Sequence, residues 1–282
     1  MPNLFVLLLM IGIAPLAAGA ALLRASPEVS WPRPDPGAIL LCALAFNLTF
    51  FWQELWLVIP KALTPGLHPV LYHNDHGWTG HAADVGLLQG TGALATLVSG
   101  LVFSGALPMA RRASVSWRLF LFWMAFQGLY QSLTQLAVGT QLAGNDVGRA
   151  LGYLHVDAAV KAALLVLAVG AMGLAGGFLA RVYPARQPSF PTRTVVLDAA
   201  QTTLLAVVVI IPFRLPRDMV EVAFIPLFVN LVGAGWLVLG SATIRRGRES
   251  ESYARCAVIG PSVALTATLL MFQLVLRHGI AF

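Results

Sequence analysis

Eight stretches of this chain are apolar over a length that leaves their backbone one way to be satisfied. They run over 3–23, 37–60, 85–107, 118–138, 157–180, 195–212, 219–241 and 256–276. A hydrocarbon layer about 30 Å thick is crossed by a helix of about 20 residues. With no water inside it, each crossing segment must hydrogen-bond within itself as a helix. Charged residues are 11% of the chain and hydrophobic ones 58%, against about a quarter charged in a soluble domain. The expected fold is all-α: a polytopic integral membrane helix bundle of about eight transmembrane helices, one transmembrane domain over 1–282. The first stretch, "NLFVLLLMIGIAPLAAGAALL", lacks the basic start of a secretory signal and is read as a retained helix. Cys42 and Cys256 fall within or beside apolar segments, which suits buried small residues and suggests neither a disulfide nor a cysteine metal site.

The formal net charge is +6, but the arginines are scattered through short connections, so no nucleic-acid partner is expected. Their distribution reports orientation instead. Arg24, Arg33, Arg111, Arg112, Arg118, Arg181, Arg186, Arg193, Arg245, Arg246, Arg248 and Arg255 fall in alternate connections, whereas Lys61, Arg149, Arg214, Arg217 and Arg277 fall on the other side. Positive-inside bias makes the first, richer group cytoplasmic. Both termini and the connection over 61–84 are then outside, as expected for a protein of a bacterial inner membrane. No linker or internal repeat divides the chain. Runs such as "AVGAMGLAGGF" and "GTGALATLVSG" place small residues where membrane helices approach closely.

Ionisable and amide side chains at membrane depth are the strongest leads, because each is costly there and turns toward a bundle interior or cavity. Asn47, Glu54 and Lys61 recur at steps of seven on one helix face, beside Gln53, and Gln127, Gln131, Thr134 and Gln135 form a stripe on another. Gln89 and Thr91 open a third helix, and Asp157 and Lys161 stand one turn apart. The expected polar cavity is lined by Asn47, Gln53, Lys61, Gln127, Gln131, Gln135, Asp157 and Lys161. Two plain readings stand beside it: glutamines as interhelical hydrogen-bond glue, and Asp157 with Lys161 as a mutually neutralising pair. Glu54 is read either as a functional group or as a neutral acid bonded to Asn47 or a glutamine.

Residues 73–81, "HNDHGWTGH", gather three histidines, with His68 upstream. Imidazole is a zinc ligand, so His73, His76 and His81 with Asp146 form a candidate zinc set. The spacing fits no standard metal motif, and Gly77 and Gly80 mark a turning segment. A wet loop capping the polar cavity is the favoured expectation.

Three stretches resemble the site-2 protease family of intramembrane zinc metalloproteases. "FFWQELWLV" is similar to that family's H-E-x-x-H helix, with Glu54 at the glutamate position and Gln53 and Leu57 where histidines stand. "QLAVGTQLAGNDVGRALGYL" is similar to its aspartate-bearing segment, with Asp146 at the ligand position, and "LLQGTGALATLVSGLVF" to the helix between them. The resemblance covers 40–155, and 156–282 adds further membrane helices. It implies a degenerate member without the zinc histidines, a pseudoenzyme acting as a binding or assembly subunit with lipid or other membrane proteins as partners. Two alternatives remain. One is a metal-dependent intramembrane hydrolase, with Glu54 as general base and ligands from the histidine segment plus Asp146. The other is a small-solute or ion transporter.

Overall fold

The computed structural model describes residues 6–23, 33–183, 192–243 and 256–282. Its helices are α1 (Val6–Leu22), α2 (Pro36–Ala62), α3 (Val85–Ala106), α4 (Val115–Gly139), α5 (Asp146–Tyr153), α6 (Ala158–Val182), α7 (Thr192–Arg214), α8 (Val220–Ala242) and α9 (Ile259–His278). Six are long and apolar enough to cross a membrane: α2, α3, α6, α7 over Leu197–Arg214, α8 and α9. The protein is an integral membrane protein. The expected count of eight is not reached on those terms. α1 is a shorter apolar helix, and α4, although 25 residues long, carries the stripe of Gln127, Gln131, Thr134 and Gln135 that dilutes its apolarity.

Local chemistry sets the helix starts. Asp35 Oδ1 accepts Gly37 N at 3.0 Å at the head of α2, and Pro36 follows in the first turn, a side-chain cap and a pre-set φ acting together. Ser114, Asn145 and Asp157 cap α4, α5 and α6 in the same way.

Successive long helices run in alternating directions. At one end of the bundle Asp35 also accepts Cys256 N (3.3 Å), Cys256 Sγ meets Ser116 (3.3 Å), and Tyr183 donates to Asp198 (3.1 Å). At the other end lies a small antiparallel sheet, β1 (Leu67–Leu71), β2 (His76–Gly80) and β3 (Ile280–Ala281), in the order β2-β1-β3. The fold is all-α as expected, and this small sheet is an addition that the helical pattern does not announce. "LHPVL" alternates, and Leu67, Pro69 and Leu71 point inward while His68 is exposed; the register pairs Leu71 with His76 and Leu67 with Gly80. Five residues with period 2 are a weak signal beside 20 with period 3.6. Arg33, Arg111, Arg112, Arg118 and Arg181 belong to the first end, and Lys61, Arg149, Arg214, Arg217 and Arg277 to the sheet end. Arg24, Arg186, Arg245, Arg246, Arg248 and Arg255 lie outside the described residues.

α2 and α4 occupy the middle, with Phe46, Phe122, Trp123, Phe126 and Tyr130 fully buried between the surrounding helices. Gly100 on α3 meets Gly128 on α4 so closely that a Cβ on Gly128 would lie 2.6 Å from Gly100 Cα. This is the backbone contact that small residues permit in a membrane, where packing and not water exclusion holds helices together. Cys42 and Cys256 are both buried.

Candidate functional site

The site begins at the turn of the β1–β2 hairpin. Tyr72 N donates to Asp75 O (2.9 Å), and Asp75 Oδ1 accepts His76 N (2.8 Å), an aspartate stabilising its own turn. The α7–α8 connection pins this turn from the side. Arg214 O accepts Asn74 Nδ2 at 3.1 Å, and Arg217 pairs with Asp75 at 2.7 Å.

With the turn fixed, β2 starts with His76 aimed down at α2. Its Nδ1 lies 2.8 Å from Glu54 Oε2 and its Nε2 3.3 Å from Gln89 Oε1, while the ring stacks on Trp78 at 5.8 Å. Lys61 donates to Leu57 O (2.7 Å) and stands 5.0 Å over the same indole, a cation on an aromatic face. Gln53 donates to Glu54 (3.4 Å) and accepts a short bond from Gln135 on α4. Each contact of the His76 ring joins a nitrogen to an oxygen, so each requires a proton. The array satisfies both as imidazolium against carboxylate, or as a Glu54 acid donating to a neutral ring. Glu54 is only 5% exposed, and a buried pair of this kind is held by its own geometry: losing one partner leaves the other uncompensated.

Beside the pair opens a chamber of about 460 Å³. Gln53, Glu54, Asp75, Gln131, Gln135 and Asp146 form its polar side, and Phe50, Phe224, Phe228 and Val229 its apolar side. Asp146 is the first residue of α5. Burial pushes its carboxyl above the ordinary carboxylate range, and the negative charge of Glu54 adds to this, against the pull of His76, Lys61 and Arg149. Arg214 also borders the chamber, buried, with its guanidinium 4.3 Å over the Phe50 ring and its Nε donating to Glu221 O.

Several expected residues go elsewhere. Asn47 turns back to Ala43 O on its own helix (2.9 Å) and does not touch Glu54. Gln127 reaches Asn230 on α8 (3.0 Å), below the chamber. Asp157 and Lys161 do not line it: Asp157 is exposed and caps α6, accepting Val160 N at 2.8 Å, because a helix start offers free amides closer than the lysine one turn on. Lys61 is held at Trp78, outside the chamber wall.

The expected zinc set is corrected more sharply. Among the described residues, the group whose potential ligand atoms lie within 4.8 Å of one another is Glu54, Asp75 and His76. His73, on the far side of the turn, packs buried against Phe272 at 5.8 Å. Burial, with Arg217 close by, pushes its imidazole down to about 4. His81 is exposed beyond the open end of the hairpin, its amide bonded to Gly66 O (3.1 Å). Only one histidine can occupy the first β2 position, and the turn geometry gives it to His76.

The side-chain stems of Gln53 and Leu57 meet α3. A Cβ at Gly92 on α3 would lie 2.7 Å from Leu57 Cγ and 2.9 Å from Gln53 Cγ, so both side chains are packed under that glycine. Asn74, Asp75 and Arg214 are site residues that helical spacing does not reveal. The signal that could have found the first two is the Asn-Asp turn pair between two short alternating runs. No family model matches the chain, and neither a curated protein nor a solved structure matches it.

Proposed function

We propose that this protein binds a small amphipathic ligand in the chamber at its hairpin end, with the Glu54–His76 pair as the polar pole, and serves as a binding or assembly subunit among lipids and other membrane proteins. The observation that carries this reading is the chamber itself: about 460 Å³, within the usual range of ligand pockets, with phenylalanines on one wall and amides and carboxylates on the other. Orientation follows from the charge bias, which favours a bacterial inner-membrane placement with the chamber and both termini outside. The resemblance to site-2 proteases fits a member without proteolytic chemistry, since Gln53 and Leu57 stand where that family's zinc histidines would. Native mass spectrometry of the purified protein tests the proposal. A bound small molecule is expected, and Val229→Trp, which fills the chamber, removes it. Retention of the same molecule by a folded Val229→Trp protein overturns the assignment.

A second reading, metal-dependent hydrolysis, is favoured by one observation, the convergence of Glu54, Asp75 and His76 within 4.8 Å. One imidazole and two carboxylates are donors of the kind zinc takes. To serve, Asp75 must leave Arg217 and Glu54 must leave the His76 ring. About one zinc per purified chain, lost with His76→Ala and with Asp75→Ala, supports that chemistry; a metal-free protein that still binds its ligand dismisses it.

A further inference from the structure

We infer that the chamber selects a ligand whose head group is a protonated amine. The inference rests on the chamber being a binding site and adds the chemistry of what it takes.

It follows from the direction of two amide chains. Asn230 Nδ2 donates to Pro226 O (2.8 Å), a backbone carbonyl that can only accept. Its Oδ1 therefore turns to Gln127 Nε2 (3.0 Å), and Gln127 Oε1 to Gln131 Nε2 (3.4 Å). The chain has one sense, and its last member, Gln131, ends it with an oxygen. Gln131 Oε1 is buried with no partner in the protein and belongs to the chamber wall. Asn74 repeats the logic, because its Nδ2 is fixed on Arg214 O and its unpartnered Oδ1 is the atom left over. Thr134 Oγ1 is a third buried oxygen there without a partner. All three residues are at most 6% exposed.

The charges lean the same way. Glu54, Asp75, Asp146 and Glu221 line the chamber against a single lining cation, Arg214. That guanidinium lies over Phe50 and donates to Glu221 O, and Arg217, outside the wall, answers Asp75 and Glu221 at 2.7 and 3.8 Å. His76 is directed at Glu54 and Gln89, and Lys61 at Leu57 O. The pole thus holds a surplus of unanswered acceptors. A primary ammonium brings three donors and a positive charge, while its apolar body suits Phe224, Phe228 and Val229. A carboxylate or phosphate head would leave the oxygens of Gln131, Asn74 and Thr134 without a donor.

The test is calorimetric titration of the full chain in phosphatidylcholine nanodiscs, with empty discs subtracted, using hexylammonium, hexanol and hexanoate. Saturable hexylammonium binding at least tenfold tighter than either comparator is expected. Gln131→Leu and Asn74→Leu should each weaken it about tenfold, as for one lost charge-assisted hydrogen bond. Thr134→Val, nearly isosteric and so without a packing penalty, should weaken hexylammonium several-fold and leave hexanol unchanged. Hexanol or hexanoate binding as tightly as the amine, or a Thr134→Val protein with unaltered preference, overturns the inference. If a comparator binds and Val229→Trp abolishes it, only the ammonium assignment falls. If none of the three binds saturably, the chamber reading falls with it.

Discussion

Two polar networks sit on the same face of α4, and they differ in what closes them. The inner one, Gln127 with Asn230, ends on the Pro226 carbonyl and the Cys42 thiol, the latter 3.8 Å from Gln127 Nε2. It ties α4 to α8 and α2 and behaves as glue as far as Gln131, where it reaches the chamber wall. The outer one, Gln135 with Gln53 and Glu54, is closed by His76, a residue that reaches it from a hairpin outside the bundle. The two stripes read alike in sequence. A polar side chain at membrane depth becomes a candidate site only when something external completes it and leaves a space beside it.

The sharpest way to break this contrast is to remove one member of the outer pair. Glu54→Ala or His76→Ala should lower stability by about 3–5 kcal/mol, the range for a buried pair deprived of one partner. The double change Glu54→Leu with His76→Leu should lose less than the two single changes summed, as thermal denaturation of each in detergent would show. Additive losses would mean that the pair is not coupled.

Next in size is Gly92→Ala, which drives a Cβ against Leu57 and Gln53 and should cost about 1–3 kcal/mol by overpacking. Because Gln53 links Glu54 to Gln135, this variant should also disturb the outer network. An unchanged melting profile would show that α3 moves away without resistance.

Gln127→Leu should cost about 0.6 kcal/mol, the average for a hydrogen bond between membrane helices. Ligand occupancy of the chamber, read by native mass spectrometry, should fall in part and not completely, because Gln127 acts on the chamber only through the orientation of Gln131; a complete loss would merge the two networks into one site.

A last effect is a slope with pH. His73 titrates at about 4 in the folded chain against an ordinary 6.5, so between those values the unfolded chain binds the additional proton. Stability is then full above about pH 6.5 and declines as pH falls toward 4. His73→Phe should flatten that part of the denaturation curve; an unaltered slope would place its origin elsewhere, and the raised Asp146 cannot supply it. A carboxyl shifted upward binds its proton more readily in the folded state and gives the opposite sign.

Part of the site is legible from helical spacing alone. Glu54, Gln53, Gln131 and Gln135 read as buried polar faces of two helices, and Asp146 stands out by its place after α4. His76 reads only as one of three histidines. What separates it from His73 and His81 is the turn over 72–75, anchored by Asn74 and Asp75 to arginines about 140 residues away in the chain. Asp157 and Lys161 mislead because their spacing satisfies a pairing rule, while the helix start gives the aspartate a nearer partner.

The sequence by itself determined that most of this chain lies in a membrane as helices and which connections share a side, because transfer into hydrocarbon and attraction of positive charge to one face are sums over neighbouring residues. Only the tertiary structure decided that a hairpin folds back, that His76 takes Glu54, and that a chamber remains beside them. Those depend on where distant segments meet and on the volume left between them, and neither quantity is a sum over local sequence.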